Sequence, residues 1–501
     1  MRVAWYTVRY GRRQGVAVAR PRNAARGVVS RSMSALALAF MLAACAVNPE
    51  NANTELGHLI DGASQLTVAG EPVNVALLRR FYARHDFEPV WTVRSAEARS
   101  LLDAVLRAGD NGLAPEMFHA DLLRRETDLA PLDRELLLSD AFLSYADALA
   151  RGAVPVDRRR DDETLTPEPV DVAARLDAAI DSPDPAAVIE ALAPATPTYR
   201  ALRQALRACR QSSAGRDGRK GGGATCLRSI EVNLERQRWL PRAMPPDRVV
   251  VNVAEERLVL YRADRPVFST RVIVGQDGER NQSPEFRAMI DASLYNPPWV
   301  VPVDIVQREI LPKISRDPGY LARNRMIMLA NGEVEQKPGP DAGLGLIMFD
   351  MPNRFDVYLH DTPDQNLFRR DNRRISHGCI RVQKPRDFAA LLMRQPIDAI
   401  DQAIAQGTTT RNALPEPVPV FVVYLTAFLD ADGVLRFLPD FYDRDAGIWQ
   451  QLRKRPARRH PAAQADRSPV STTRLLAALD RSEPPSPMTG RMVLRRPTIG
   501  G

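Results

Sequence analysis

Tyr358-Leu-His-Asp-Thr-Pro363 and, fifteen residues beyond the histidine, Ser376-His-Gly-Cys-Ile-Arg-Val382 decide how the chain is read. Phe355, Val357 and Leu359 alternate with Asp356, Tyr358 and His360, the period-two pattern of a half-buried strand, so Tyr358 and His360 are expected to project from one face. Asp361-Thr-Pro-Asp364 reads as a turn. After Gly378 the alternation resumes, with Ile380 and Val382 inward and Cys379 and Arg381 on the opposite side. Two short strands would then bring an imidazole and a thiol together.

A cysteine used as a nucleophile reacts as its thiolate, and a neighbouring imidazole stores the proton and lowers the thiol pKa. Gly378 lets the backbone approach a substrate closely and aim amide N–H groups at a developing oxyanion. The alternative is a buried thiol beside two core histidines. Against it, two of the chain's six histidines and one of its four cysteines fall in this one segment. A zinc site built from His360, His377 and Cys379 lacks the fourth ligand and the paired short spacings that structural zinc prefers.

These residues resemble the active-site signature of the YkuD-type L,D-transpeptidases, and the flanking sequence from Val249 to about Asp445 resembles their large, YcbB-like branch, with weaker likeness back to about residue 55. The resemblance implies that Cys379 is the acylated nucleophile and His360 its base. It places Ser376, His377 and Gly378 in the loop and oxyanion site, and Tyr358 and Arg381 against substrate. Arg381 stands where many smaller relatives carry asparagine and the larger branch commonly carries arginine.

Residues 1–45 hold eight arginines and no acidic residue and end in an apolar run, Ala35 to Cys45, too short to span a bilayer and suited to a signal peptide. Leu42-Ala-Ala-Cys45 resembles a lipoprotein box, which makes Cys45 the expected site of lipidation; an ordinary secretory signal with a chance cysteine is the alternative. Residues 451–501 carry eleven Lys/Arg against three acidic residues, so the overall charge of +8 conceals a net −8 over residues 46–450. The basic balance therefore gives no support to nucleic-acid binding.

Residues 46–54 read as a polar tether. A helical scaffold domain is expected over 55–232, with core stripes at Leu77, Leu78, Phe81 and Tyr82, at Leu101, Leu102, Val105 and Leu106, and at Phe142, Tyr145, Ala146 and Leu149, the last stopped by Gly152 and Pro155. Between Cys209 and Cys226 lies a Gly/Lys-rich loop. With Cys45 assigned to lipid and Cys379 to catalysis, these two form an even pair in an oxidising compartment and are expected to be disulfide-bonded, two free thiols being the alternative. Large relatives often carry a peptidoglycan-binding module hereabouts, and this chain has no room for one.

Residues 233–247 read as a lead-in linker, followed by a mainly β catalytic domain over 248–447, beginning with strands at Val249, Arg257 and Ser269. Ser283 precedes a proline where the family usually has threonine. Trp299 is either core or, as the resemblance implies, a wall of the substrate groove. Residues 303–345 interrupt the strands with an amphipathic segment and a Gly/Pro-rich loop, and in the larger relatives this insertion caps the groove. Asp387–Leu392 reads as a helix. Asp430-Ala-Asp-Gly433 lacks the remaining ligands of a calcium loop and reads as a hairpin turn. Residues 448–501 read as a basic disordered tail.

The fold class is thus α+β, a helical scaffold ahead of a mainly β domain with an inserted cap. The resemblance implies an enzyme that forms 3-3 cross-links between peptidoglycan stem peptides through a cysteine acyl-enzyme, without metal or cofactor. Its expected location is the periplasm, lipid-anchored to the envelope at the outer membrane of a Gram-negative bacterium. An L,D-carboxypeptidase or amidase that lets water resolve the acyl-enzyme, and a non-catalytic envelope lipoprotein, are the other readings.

Overall fold

The computed structural model describes residues 49–214 and 222–453. The expected signal peptide with Cys45, most of the Gly/Lys-rich loop and the tail beyond residue 453 lie outside the described residues.

The 46–54 tether is shorter than expected, because a helix, Pro49–Asp61, begins inside it. The scaffold is helical, centred on the 21-residue helix Pro131–Arg151. Phe142, Tyr145, Ala146 and Leu149 are buried there, as are Leu77, Leu78, Phe81 and Tyr82 of Val75–Tyr82 and Leu101, Leu102 and Val105 of Ser95–Leu106. Their 3.6-residue spacing puts each set on one stripe, and the three stripes meet in one core. Gly152 ends the long helix at φ +91°, and a Cβ there would lie 2.6 Å from Glu235 and 2.9 Å from Trp239. Only glycine fits.

Residues 233–247 do not form a linker up to residue 238. The helix Gly222–Arg238 runs through them and its end is buried, with Asn233, Glu235, Arg236 and Arg238 all at 0–1% exposure. Asn233 Nδ2 donates to Thr426 Oγ1 at 2.7 Å and its Oδ1 accepts from Thr426 N–H at 3.0 Å. Arg236 Nη1 donates to Asp445 Oδ1 at 2.5 Å, and Thr426 Oγ1 donates to Asp445 Oδ2 at 3.0 Å. Polar residues read as a connector are therefore a buried hydrogen-bonded contact between the two domains.

That helix and Pro197–Ala214 pack antiparallel about Leu202, Leu206, Ile230 and Leu234, with Cys209 buried among them. Cys209 and Cys226 stand here as thiols with no disulfide bond between them. They are nonetheless neighbours: burial and a hydrogen bond with Cys209 push the Cys226 thiol up to about 12.

The β domain is a nine-stranded sheet, in the order Arg374–Ser376, Arg265–Gly275, Ile380–Val382, Leu359–His360, Ile347–Asp350, Phe286–Tyr295, Thr410–Val423, Arg248–Asn252, Arg257–Arg262. The last of these also pairs with Arg265–Gly275, so eight strands close on themselves and only the short Arg374–Ser376 strand hangs from the ring. Closure leaves no free edge on those eight strands. Valines and isoleucines at alternate positions, among them Val249, Val251, Ile290, Val420 and Val422, fill one side of the sheet. The helices Pro385–Met393 and Ile397–Ala405 cover it with Phe388, Leu392, Ile400 and Ile404.

The 303–345 insertion carries its own small core of Val301, Val306, Ile310, Met326 and Val334 and its own three-stranded sheet, in which Trp299–Val301 pairs with Val334–Gln336 and that strand with Met326–Met328. The cap therefore starts at Trp299, earlier than its sequence suggested. Its helix widens to a π turn at Val306–Ile310, just ahead of Pro312, which has no N–H to continue the tighter ladder. Asp430–Gly433 forms the expected hairpin turn between Ala427–Leu429 and Leu435–Phe437, and Arg436 Nε holds Asp430 Oδ2 at 2.6 Å. The tail begins later than residue 448, since Asp445–Arg453 is a helix with Ile448 and Leu452 buried against the scaffold core.

Candidate active site

The two motif strands lie side by side and parallel, Leu359 opposite Ile380 and His360 opposite Arg381. Leu359, Ile380 and Val382 point into the β-domain core, so alternation sends Tyr358, His360, Cys379 and Arg381 to the other face. Imidazole and thiol are one diagonal step apart on adjoining strands, as the sequence pattern required. The first strand is short, however: only Leu359–His360 is extended, and Asp356 turns through φ +52° just before it.

His360 is buried, and its Nδ1 lies 2.6 Å from the carbonyl oxygen of Asp361, a contact that places the proton of the neutral ring on Nδ1. Burial outweighs the carbonyls of Asp361 and Leu344, and with Arg381 nearby it drives the ring down to about 4. The Cys379 thiol is pushed above its usual range by burial, offset in part by a hydrogen bond from the Tyr358 backbone and by the Arg381 charge. An imidazole-lowered thiol was expected from the sequence; the resting pair is instead a neutral thiol beside a neutral imidazole, because desolvation penalises both charged forms. Sγ sits 3.8 Å from the Asp356 carbonyl.

Ser376 is buried, donates from Oγ to the Cys379 carbonyl at 2.6 Å and accepts from Gly378 N–H at 3.1 Å. Gly378 turns at φ +112°, open to glycine and strained for any other residue. The amide of Gly378 is thus committed to the loop. Ser283 supports the same turn from the neighbouring segment, donating from Oγ to the Gly378 carbonyl at 2.7 Å. His377 points away from the sheet to the cap, its Nε2 2.6 Å from Glu309 Oε1. His377 thus contacts the cap, whereas His360 lies on the strand face that carries Cys379.

Tyr358 and Trp299 pack on one small cluster with Ala292, Leu294, Leu344 and Met348, so Trp299 borders the face that carries His360. Gly343 lies against the Trp299 ring, where a Cβ would come within 3.0 Å. Arg381 Nε is buried and unpartnered among the described residues, and burial lowers the guanidinium pKa. Its position suits an anionic group brought in by substrate. Sequence reading missed the Asp361 carbonyl, which acts through its backbone and leaves no residue-type signal. It also missed Glu309, which with Asp304 is one of two acidic residues on the amphipathic helix of the cap.

Residues 246–420 match the family model described as the L,D-transpeptidase catalytic domain, YkuD. Residues 76–206 match the model described as the Scaffold domain. A curated protein of Haemophilus influenzae, described as a candidate L,D-transpeptidase, is 27% identical over 399 residues, 74% of this chain and 78% of that protein. Among solved structures, an L,D-transpeptidase from Mycobacterium smegmatis aligns at 13% identity and TM-score 0.21 over 36% of this chain and 58% of that one. Mycobacterium tuberculosis L,D-transpeptidase 1 aligns at 12% identity and TM-score 0.18 over 36% of this chain and 61% of that one. This chain thus spans under two thirds of the length of either mycobacterial structure. With both domain models matched in sequence order, and the motif strands assembled inside the second, the chain belongs to the YkuD-type L,D-transpeptidases, in the scaffold-bearing YcbB-like architecture.

Proposed function

We propose that the protein is a peptidoglycan L,D-transpeptidase that forms 3-3 cross-links through a Cys379 acyl-enzyme, and that it works in the periplasm, anchored by lipid on Cys45. The observation that carries the reaction is the shared face of Cys379 and His360, with His360 oriented by the Asp361 carbonyl.

His360 Nε2 takes the thiol proton as Cys379 Sγ attacks the carbonyl carbon of the third, diamino-acid residue of a tetrapeptide stem. The tetrahedral intermediate collapses with loss of the terminal D-alanine, whose amine leaves with that proton, and a thioester remains. The side-chain amine of a second stem then attacks the thioester and gives its proton to His360. The new amide forms, the C–S bond breaks, and the thiolate recovers the proton. Proton transfer through one imidazole suits a pair that rests neutral, since no charge need be stored in a desolvated site before substrate arrives. Tyr358, Trp299 and Arg381 line the approach, and the cap over the groove limits water, which would otherwise turn the thioester into a carboxypeptidase product.

The test is mass spectrometry of muropeptides after incubation of the purified full chain with tetrapeptide-rich sacculi, beside Cys379→Ala. Cross-linked tripeptide–tripeptide products from the native protein alone are expected. Tripeptides without cross-links would replace this reading with hydrolysis, and equal products from Cys379→Ala would remove the cysteine from the chemistry.

A further inference from the structure

Against the catalytic loop at His377 and Gly378 lies a cavity of about 410 Å³, floored by Pro284, Phe355 and Val357. Its charged wall comes from two places. The scaffold supplies Arg160, Asp161 and Asp162, and the β domain supplies Glu279 and Arg280.

Three of these five charges are already occupied. Arg160 pairs with Asp162 at 3.0 Å and with Glu279 at 3.2 Å, and the second Asp162 oxygen accepts from Arg444 Nη2 at 2.6 Å. The other two are exposed, and among the described residues neither the Asp161 carboxylate nor the Arg280 guanidinium makes a hydrogen bond or ion pair. The mounting beneath them is stiff. Arg444, buried at 1% exposure, also holds Gln282 Oε1 and Glu285 Oε1 at 3.1 Å and the Ser283 carbonyl at 3.2 Å. Glu285 N–H donates to the Asp162 carbonyl at 2.7 Å and Thr164 N–H to the Glu285 carbonyl at 2.9 Å, so the scaffold strip is laid along the chain just before the Phe286 strand. Ser283, gripped by the same arginine, is the residue that supports Gly378.

A cavity beside a nucleophile's loop, with one uncommitted cation and one uncommitted anion above an apolar floor, is complementary to a zwitterion. We propose that it is the acceptor subsite, in which Arg280 holds the carboxylate and Asp161 the ammonium of the amino-acid centre at the side-chain end of the acceptor's diamino acid. This rests on the transpeptidase reading for the identity of the acceptor. The scaffold then selects the acceptor as well as supporting the fold. The bound ammonium first releases one proton to solvent, and the free amine then attacks the thioester and passes a second proton to His360, as in the step already written.

The experiment uses the full chain. Calorimetry on Cys379→Ala measures binding of a tripeptide stem with a free carboxylate at the side-chain centre and of the same stem amidated there; acceptor kcat/KM is measured on the native cysteine with both probes. The free acid is expected to bind and react about tenfold better, the effect of roughly one well-placed charge pair. Arg280→Gln is expected to erase that preference, and Asp161→Asn to weaken both probes alike. Because both side chains are exposed and outside the core, neither change threatens folding. An undiminished preference in Arg280→Gln, with cross-linking intact, overturns the subsite and leaves the transpeptidase reading standing. Selective binding to Cys379→Ala with no cross-link from the native chain does the reverse.

Discussion

Cys379 and His360 are both held in their neutral forms by burial, and this sets two pH dependences. The raised thiol pKa predicts that alkylation of Cys379 by iodoacetamide keeps accelerating beyond about pH 9 with no plateau near neutrality. His360→Ala should leave that profile in place while slowing acylation by substrate, because the neutral ring contributes as a base and not as a charge. A plateau below pH 8 would restore the ion-pair picture. For stability the sign follows from proton counts. With a folded pKa of about 4 against about 6.5 unfolded, the unfolded chain binds more protons between those values, so stability falls as pH drops from 6.5 to 4, by up to about 3 kcal/mol. Urea titrations of native protein and His360→Asn across that window should converge as the pH is lowered. The identities and shared face of these residues were legible in the motif because alternation fixes the face. Their protonation was not, because desolvation depends on what covers the site, and Leu344 and Trp299 arrive from elsewhere in the fold.

At the scale of elements, the cap meets the catalytic loop through Glu309 and His377, both about a third exposed. Glu309→Gln should loosen that contact, and hydrogen exchange of Val303–Arg316 should speed up by roughly twofold to threefold, the modest size being that of an exposed pair. Unchanged exchange would mean that the cap is held by its hydrophobic core alone. The two packed helices of the scaffold invite a second measurement. Because the Cys226 thiol already contacts Cys209, oxidation is expected to bridge them with little movement, and the bridged form should melt higher than Cys209→Ser/Cys226→Ser while acylating equally well. Non-reducing peptide maps that find both thiols unbridged in protein purified under oxidising conditions would exclude the bridge. The helical stripes of the scaffold were readable because 3.6-residue periodicity is a local signal. The π turn and three-stranded sheet of the cap were not, since strands of three residues are too short for a pattern, and a proline's effect on the turn before it depends on the helix continuing.

Over the whole molecule, the contact between scaffold and barrel includes a buried polar cluster of Asn233, Arg236, Thr426 and Asp445. Arg236→Met leaves Asp445 buried without its cation and is expected to cost about 3–5 kcal/mol, and denaturant unfolding of the native chain should show one transition for both domains. Two separated transitions would show that the domains are only adjacent. Sequence reading took the stretch around these residues for a linker because charged and amide side chains ordinarily mark a surface; here Asn233 and Arg236 have partners 193 and 209 positions away. The same contact bears on how such chains can diversify. A crossover near residue 247 would join a helix ending in Asn233 and Arg236 to a barrel that had not co-varied at 426 and 445, and every mismatch would bury an unanswered polar group. Exchange of catalytic domains between relatives is therefore penalised at the one place where a boundary looks simplest, and scaffold and barrel are expected to be inherited together.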